Sequence, residues 1–218
     1  MERVSVFIDG ANFLYGLRSI KERYTNFKFD FENYVKAIVG KRNLVDVYYY
    51  DASLKSSKDP SLFKEQQAFF LRLTKIPFKV IICRRQKSTL LDGTETFRIK
   101  EDDIRLALDM LRDAYENKYD TVLLISGDGD FVPVVEYVKL KGKSVENYFF
   151  EGRVSLGLLN KCKVSYPIDK KIVNKYFYRE EQTMLGDTTA GFELKKIIDS
   201  KCSNNLPGQT KSQPKNKT

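Results

Sequence analysis

Five short apolar runs alternate with amphipathic helical patterns along this chain, and that alternation most limits what it can fold into. The runs are VSVFID (Val4–Asp9), LVDVYYYD (Leu44–Asp51), FKVIIC (Phe78–Cys83), TVLLIS (Thr121–Ser126) and SVENYFF (Ser144–Phe150). They are rich in β-branched and aromatic residues, as strands covered on both faces require. Helical spacing fills the gaps. Phe13, Leu17 and Ile20 mark the first helix, FENYVKAIVG the second, and SLFKEQQAFFLRLTKI, started by Asp59-Pro60, the third. After Lys100 comes a helix with Ile104, Leu108 and Leu111 on its apolar stripe, then DFVPVVEYVKLKG, closed by Gly142. SLGLLNKC and DKKIVNKYF add two short helices. Right-handed crossovers turn such a series into an α/β three-layer sandwich, a central five-stranded parallel sheet with helices on both faces.

The pattern holds to about Tyr178. Residues 1–178 are therefore expected to form one domain, and 179–218 a basic extension. Residues 180–200 have room for one short helix, and the polar NNLPGQTKSQPKNKT end reads as disordered.

The chain contains no histidine. That excludes Ser-His-Asp and Cys-His nucleophile systems, His-ligated zinc and histidine general bases. Hydrolytic chemistry would have to rest on carboxylates, lysines, hydroxyls or a bound metal. The 38 Lys and Arg against 29 Asp and Glu leave a net charge of +9, which suits a polyanionic partner. Cys83, Cys162 and Cys202 are far apart and form no CxxC pair, so they read as reduced, mostly buried thiols. No apolar run approaches the roughly 18 residues of a membrane span. The strand-like RVSVFI start has no signal-peptide pattern, which predicts a cytoplasmic protein without a membrane partner.

Ligands of open α/β sheets bind beyond the carboxyl ends of the strands. Three parts of this chain bring carboxylates there. Asp9 ends the first run, Asp128 and Asp130 follow the fourth in SGDGDF, and Asp102 and Asp103 open the helix before it. Taken singly, each has a structural use as a cap, a turn residue or a partner of the helix dipole. Together they would repel one another in a partly desolvated cleft. A divalent cation removes that conflict, and hard oxygen ligands favour Mg²⁺ or Mn²⁺. Gly127 and Gly129 are expected to let the backbone approach a phosphate or a metal-bound water.

FIDGANFLYGL, IKEDDIRLALDML and LLISGDGDFVPVVEYVKLKGKSVEN resemble, in order and spacing, the three signature blocks of NYN domains. These belong to the PIN-like nuclease superfamily, and the bacterial branch is often called LabA-like. The resemblance covers about Val4 to Tyr178. It implies a PIN-like, Rossmann-like sheet in the order 3-2-1-4-5 and a metal-dependent ribonuclease site. Carried over by position, the catalytic and metal-binding residues are Asp9, Asp103, Asp128 and Asp130, with Asn12, Asp102 and Ser126 auxiliary. Asn12 either positions Asp9 or a metal-bound water, or caps the first helix. Asp109, six residues after Asp103, is expected either to be structural or to support the site residues from behind. The bacterial pattern before the helix is usually Lys-Gly-Val-Asp or similar, whereas this chain has Lys100-Glu101-Asp102-Asp103, closer to a eukaryotic ribonuclease branch.

Residues 84–98, RRQKSTLLDGTETFR, read as a β-hairpin arm turning at Asp92-Gly93. Arg84, Arg85, Lys87 and Arg98, with Phe97 beside them and Lys100 beyond, suit the backbone and bases of a single strand. The alternative use of the arm is a solvated hairpin or a homodimer contact. Tyr48–Tyr50 lie within a buried strand and are expected in the core. The function expected is hydrolysis of single-stranded nucleic acid, RNA before DNA. The alternatives are a nucleic-acid-binding or regulatory protein of weak or absent turnover, and a metal-dependent phosphatase or nucleotide hydrolase. No P-loop pattern is present.

Overall fold

A computed structural model of the protein describes residues 1–54, 59–76, 78–89 and 95–178, with the backbone alone for 85–89 and 95–100. The expected extension at 179–218 lies outside the described residues. The strands are β1 (Arg3–Asp9), β2 (Asn43–Ala52), β3 (Phe78–Thr89), β4 (Glu95–Lys100), β5 (Thr121–Ile125), β6 (Ser144–Phe150) and β7 (Val164–Ile168). The helices are α1 (Gly10–Ile20), α2 (Phe31–Val39), α3 (Pro60–Lys75), α4 (Asp102–Tyr115), α5 (Val132–Leu140), α6 (Leu156–Lys161) and α7 (Lys170–Tyr176).

The sheet runs β4-β3-β2-β1-β5-β6-β7. Every pairing is parallel except β3 with β4. Counted without β4, the parallel strands are six, in the order 3-2-1-4-5-6, and not five. The strand missing from the sequence reading is β7, VSYPI. Its Pro167 has no N–H to donate to a ladder, which suits an edge strand and hides the strand pattern. The antiparallel register from Arg84–Lys100 to Thr89–Glu95 bears out the hairpin arm. The turn at Asp92-Gly93 lies outside the described residues.

Alternation along the central strands divides the core. Phe7, Tyr48 and Tyr50 pack on one face with Leu106, Met110, Val135, Val138 and Leu158 from α4, α5 and α6. On the other face Tyr49 meets Phe31 and Phe69, while Phe13 of α1 meets Phe150. The three tyrosines are thus core residues, as expected. Asp59 caps α3 by accepting the Leu62 N–H, with Pro60 at the first helical position.

The α4 stripe needs correction. Leu111 packs against the core as expected, but Ile104 and Leu108 are 66% and 60% exposed, and the buried face is Leu106, Met110 and Ala114. Both sets have helical spacing, so periodicity alone does not choose between them. Met110 and Ala114 fit under the sheet beside Tyr119 and Val122, and Asp113 is tied there by the Tyr48 hydroxyl. Asp109 accepts from the Tyr50 hydroxyl and pairs with Arg112, a structural use. Cys83 and Cys162 are free thiols, pushed up to about 12 and about 11 by burial. No helix among the described residues is long and apolar enough to cross a membrane.

Candidate active site

β1 and β5 run side by side in register, Ile8 next to Ile125, so Asp9 and Ser126 leave the same sheet edge together. Asp9 is buried and is itself the cap of α1. One carboxylate oxygen accepts the Asn12 N–H at 2.9 Å, and the other accepts the Ser126 hydroxyl at 2.9 Å. Asn12 therefore does not cap the helix. Its side-chain oxygen accepts the Gly127 N–H at 3.0 Å and ties α1 to the loop after β5. Ser126 Oγ accepts the Asp128 N–H, and Asp128 in turn accepts the Asp130 N–H. Hydrogen bonds thus run unbroken from Asp9 through Ser126 to Asp128 and Asp130. The local cap is Asp128.

The first turn of α4 approaches the same edge. One carboxylate oxygen each from Asp103, Asp128 and Asp130 lies within 4.8 Å of the others. Asp9 and Asp102 are not members of that close group, yet the charge of Asp102 acts on Asp103 and the charge of Asp103 acts on Asp9. Burial first, then the charges of Asp102, Asp128 and Asp130, push Asp103 up to about 6. Burial pushes Asp9 up to about 7. The Asn12 N–H opposes this, and the charge of Asp103 adds to it. Asp102 is raised mainly by burial, with the charge of Asp128 also contributing. An oxygen-only donor set in which burial and neighbouring carboxylates hold Asp103 above the ordinary range fits a divalent cation.

The raised Asp9 has a measurable consequence. Between pH 4 and about 7 the folded protein keeps a proton that the unfolded chain has released. The folded state then binds more protons, so stability is greatest at the acid end of this window and falls as pH rises through about 7. The linkage is at most about 4 kcal/mol. In EDTA, the Tm of Asp9→Asn minus that of the wild type is expected to grow from pH 5 to pH 8. A pH-independent difference would contradict it.

Two features escaped the sequence reading. Gly127 was expected to admit a phosphate, but a Cβ there would lie 1.7 Å from the Arg153 carbonyl oxygen. Its side is filled by the chain after β6, whose Ser155 N–H donates to the Gly127 carbonyl. Glu101 takes a left-handed φ of +77°, at the position where the bacterial pattern has glycine. Such backbone costs a non-glycine residue about 1 kcal/mol or more. Its carboxylate is held by Arg84 and Arg105. Arg84, expected to meet substrate, is thus paired with Glu101, although its side chain stays 82% exposed. As side chains, Arg85, Lys87, Arg98 and Lys100 lie outside the described residues.

The NYN domain family matches residues 3–169. The low amplitude and bright protein LabA of Synechococcus elongatus is 25% identical over 161 residues, which is 72% of this chain and 79% of that protein. A crystal structure of a protein of unknown function from Vibrio parahaemolyticus shares the fold. Its TM-score is 0.59 at 24% identity, covering 78% of this chain and 94% of its own. The match over residues 3–169 takes in every strand among the described residues and the whole acidic edge, and with it the chain belongs to the NYN domain family as a LabA-like protein.

Proposed function

We propose that this protein is a metal-dependent nuclease that hydrolyses phosphodiester bonds of single-stranded RNA. NYN domains form a PIN-like nuclease family, and the observation that carries the reading is the Asp103–Asp128–Asp130 cluster at the carboxyl edge of the sheet. These three carboxylates would hold Mg²⁺ or Mn²⁺, hard cations that take oxygen ligands. When bound, such an ion lowers the pKa of water and stabilises charge on the phosphate and the leaving oxygen. Asp9 acts as a positioning residue. Its carboxylate fixes Ser126, and Ser126 fixes the backbone of Asp128. Asn12 holds the same loop from the other side. Asp102 adds negative charge, and the basic base of the arm, with Arg84, Arg85, Lys87, Arg98 and Lys100, attracts the strand.

The test is cleavage of matched single-stranded RNA and DNA by the full chain with Mn²⁺, Mg²⁺ or EDTA. Cutting of RNA that EDTA stops and Mn²⁺ restores is expected. RNA bound without metal-dependent cutting would favour a binding protein without turnover, and preferential cutting of DNA would refute the substrate.

A further inference from the structure

Helix α1 has two apolar faces. Phe13, Gly16 and Leu17 enter the core, whereas Ala11, Leu14, Tyr15 and Arg18, at positions i, i+3, i+4 and i+7, line a cavity of about 370 Å³. The opposite walls come from the end of β2, the start of α3 and the start of α4, where Asp103 belongs both to this cavity and to the acidic cluster. The volume lies within the roughly 300–1,000 Å³ of ligand pockets.

We infer that this cavity seats one unpaired nucleobase of the strand, directly beside the acidic cluster. The inference rests on the nuclease reading for the identity of the strand. The wall chemistry selects the neutral part of a nucleotide. A phosphate inside would face Asp102 and Asp103, while a planar base meets Leu14, Leu54 and Leu62. Tyr15 is 58% exposed and stacks on no ring among the described residues, so it is available to a base at the mouth. Arg18 is the cation among the lining residues. It is placed to take a flanking phosphate that the carboxylates would repel. A base held in this cavity cannot also be paired, so the nucleotide beside the scissile bond must be single-stranded.

Two measurements on the full chain separate this inference from the nuclease reading. The first is metal-free. Adenosine, cytidine, guanosine and uridine are titrated in EDTA and followed by NMR, with neither phosphate nor cleavage involved. At least one nucleoside is expected to bind at millimolar concentration, and Tyr15→Ala to weaken it roughly tenfold through lost stacking. Tyr15 is exposed, and an unchanged Tm would show that the variant folds. The second is an abasic scan of an RNA substrate with Mn²⁺. Removing the base next to the scissile bond is expected to lower cleavage there roughly tenfold or more, with other positions unaffected. Binding of a nucleoside without any cleavage would keep the pocket and refute the nuclease. Cleavage indifferent to every abasic position, with no nucleoside bound, would refute the pocket and leave the nuclease standing.

Discussion

Asp103→Asn and Asp128→Asn are each expected to lower metal-dependent RNA cleavage by about 10³-fold, with the domain still folded. The two residues reach the cluster from separate elements, the first turn of α4 and the loop after β5. Each substitution removes one of three converging carboxylates and leaves an isosteric amide. The Asp128 cap survives, because an asparagine oxygen can still accept the Asp130 N–H. Without metal, either variant should melt no lower than the wild type, since it relieves the repulsion that raises Asp103. Stabilisation by added Mn²⁺ should shrink in both. Full activity in either variant, or collapse of its fold in EDTA, would defeat the reading. The pairing of lost activity with unchanged stability is what separates a site residue from a structural one.

Gly127→Ala is expected to destabilise the protein by about 3 kcal/mol, a fall in Tm of roughly 10 °C. The added methyl would meet backbone, the Arg153 carbonyl, and not the flexible end of a side chain. Either the 153–155 segment or the loop after β5 must move. If the loop moves, the Asn12 bond to the Gly127 N–H and the placement of Asp128 go with it. Cleavage should therefore fall even below the melting transition. Gly129→Ala is the control. Its Cβ would sit 3.1 Å from the Ser155 Cβ, an approach relieved by a shift of a few tenths of an ångström (~0.3 Å), so the loss should be smaller. Equal stability of the two variants, measured by thermal unfolding, would contradict the packing argument.

The parts of the fold legible in the sequence were those where one local pattern had one outcome. The five apolar runs became parallel strands, and Asp59-Pro60 started α3. β7 was not legible, because Pro167 and the exposed residues before it make a poor strand signal in isolation. The α4 face was not legible either, since two interleaved stripes competed and only the tertiary partners decide. The acidic edge was visible because its carboxylates sit at strand ends and in the first turn of a helix. Their division of labour was not. Asp9 and Asp128 are alike in sequence, yet Asp9 is buried with both oxygens engaged, while Asp128 joins the open cluster. The Asn12–Gly127 bond and the Gly127–Arg153 approach join segments far apart in the chain, and no local spacing encodes them.

The bond between Ser126 and Asp9 spans 117 positions of sequence. Strand β1 lies beside β5 although β2, β3 and β4 are made first. A growing chain therefore owns Asp9 and, later, Asp103 long before it owns the loop that completes the cluster. An incomplete copy, whether halted in synthesis or clipped before β5, carries the carboxylates as isolated, ordinary acids. The full arrangement arises only when the last central strand and the loop after it are in place.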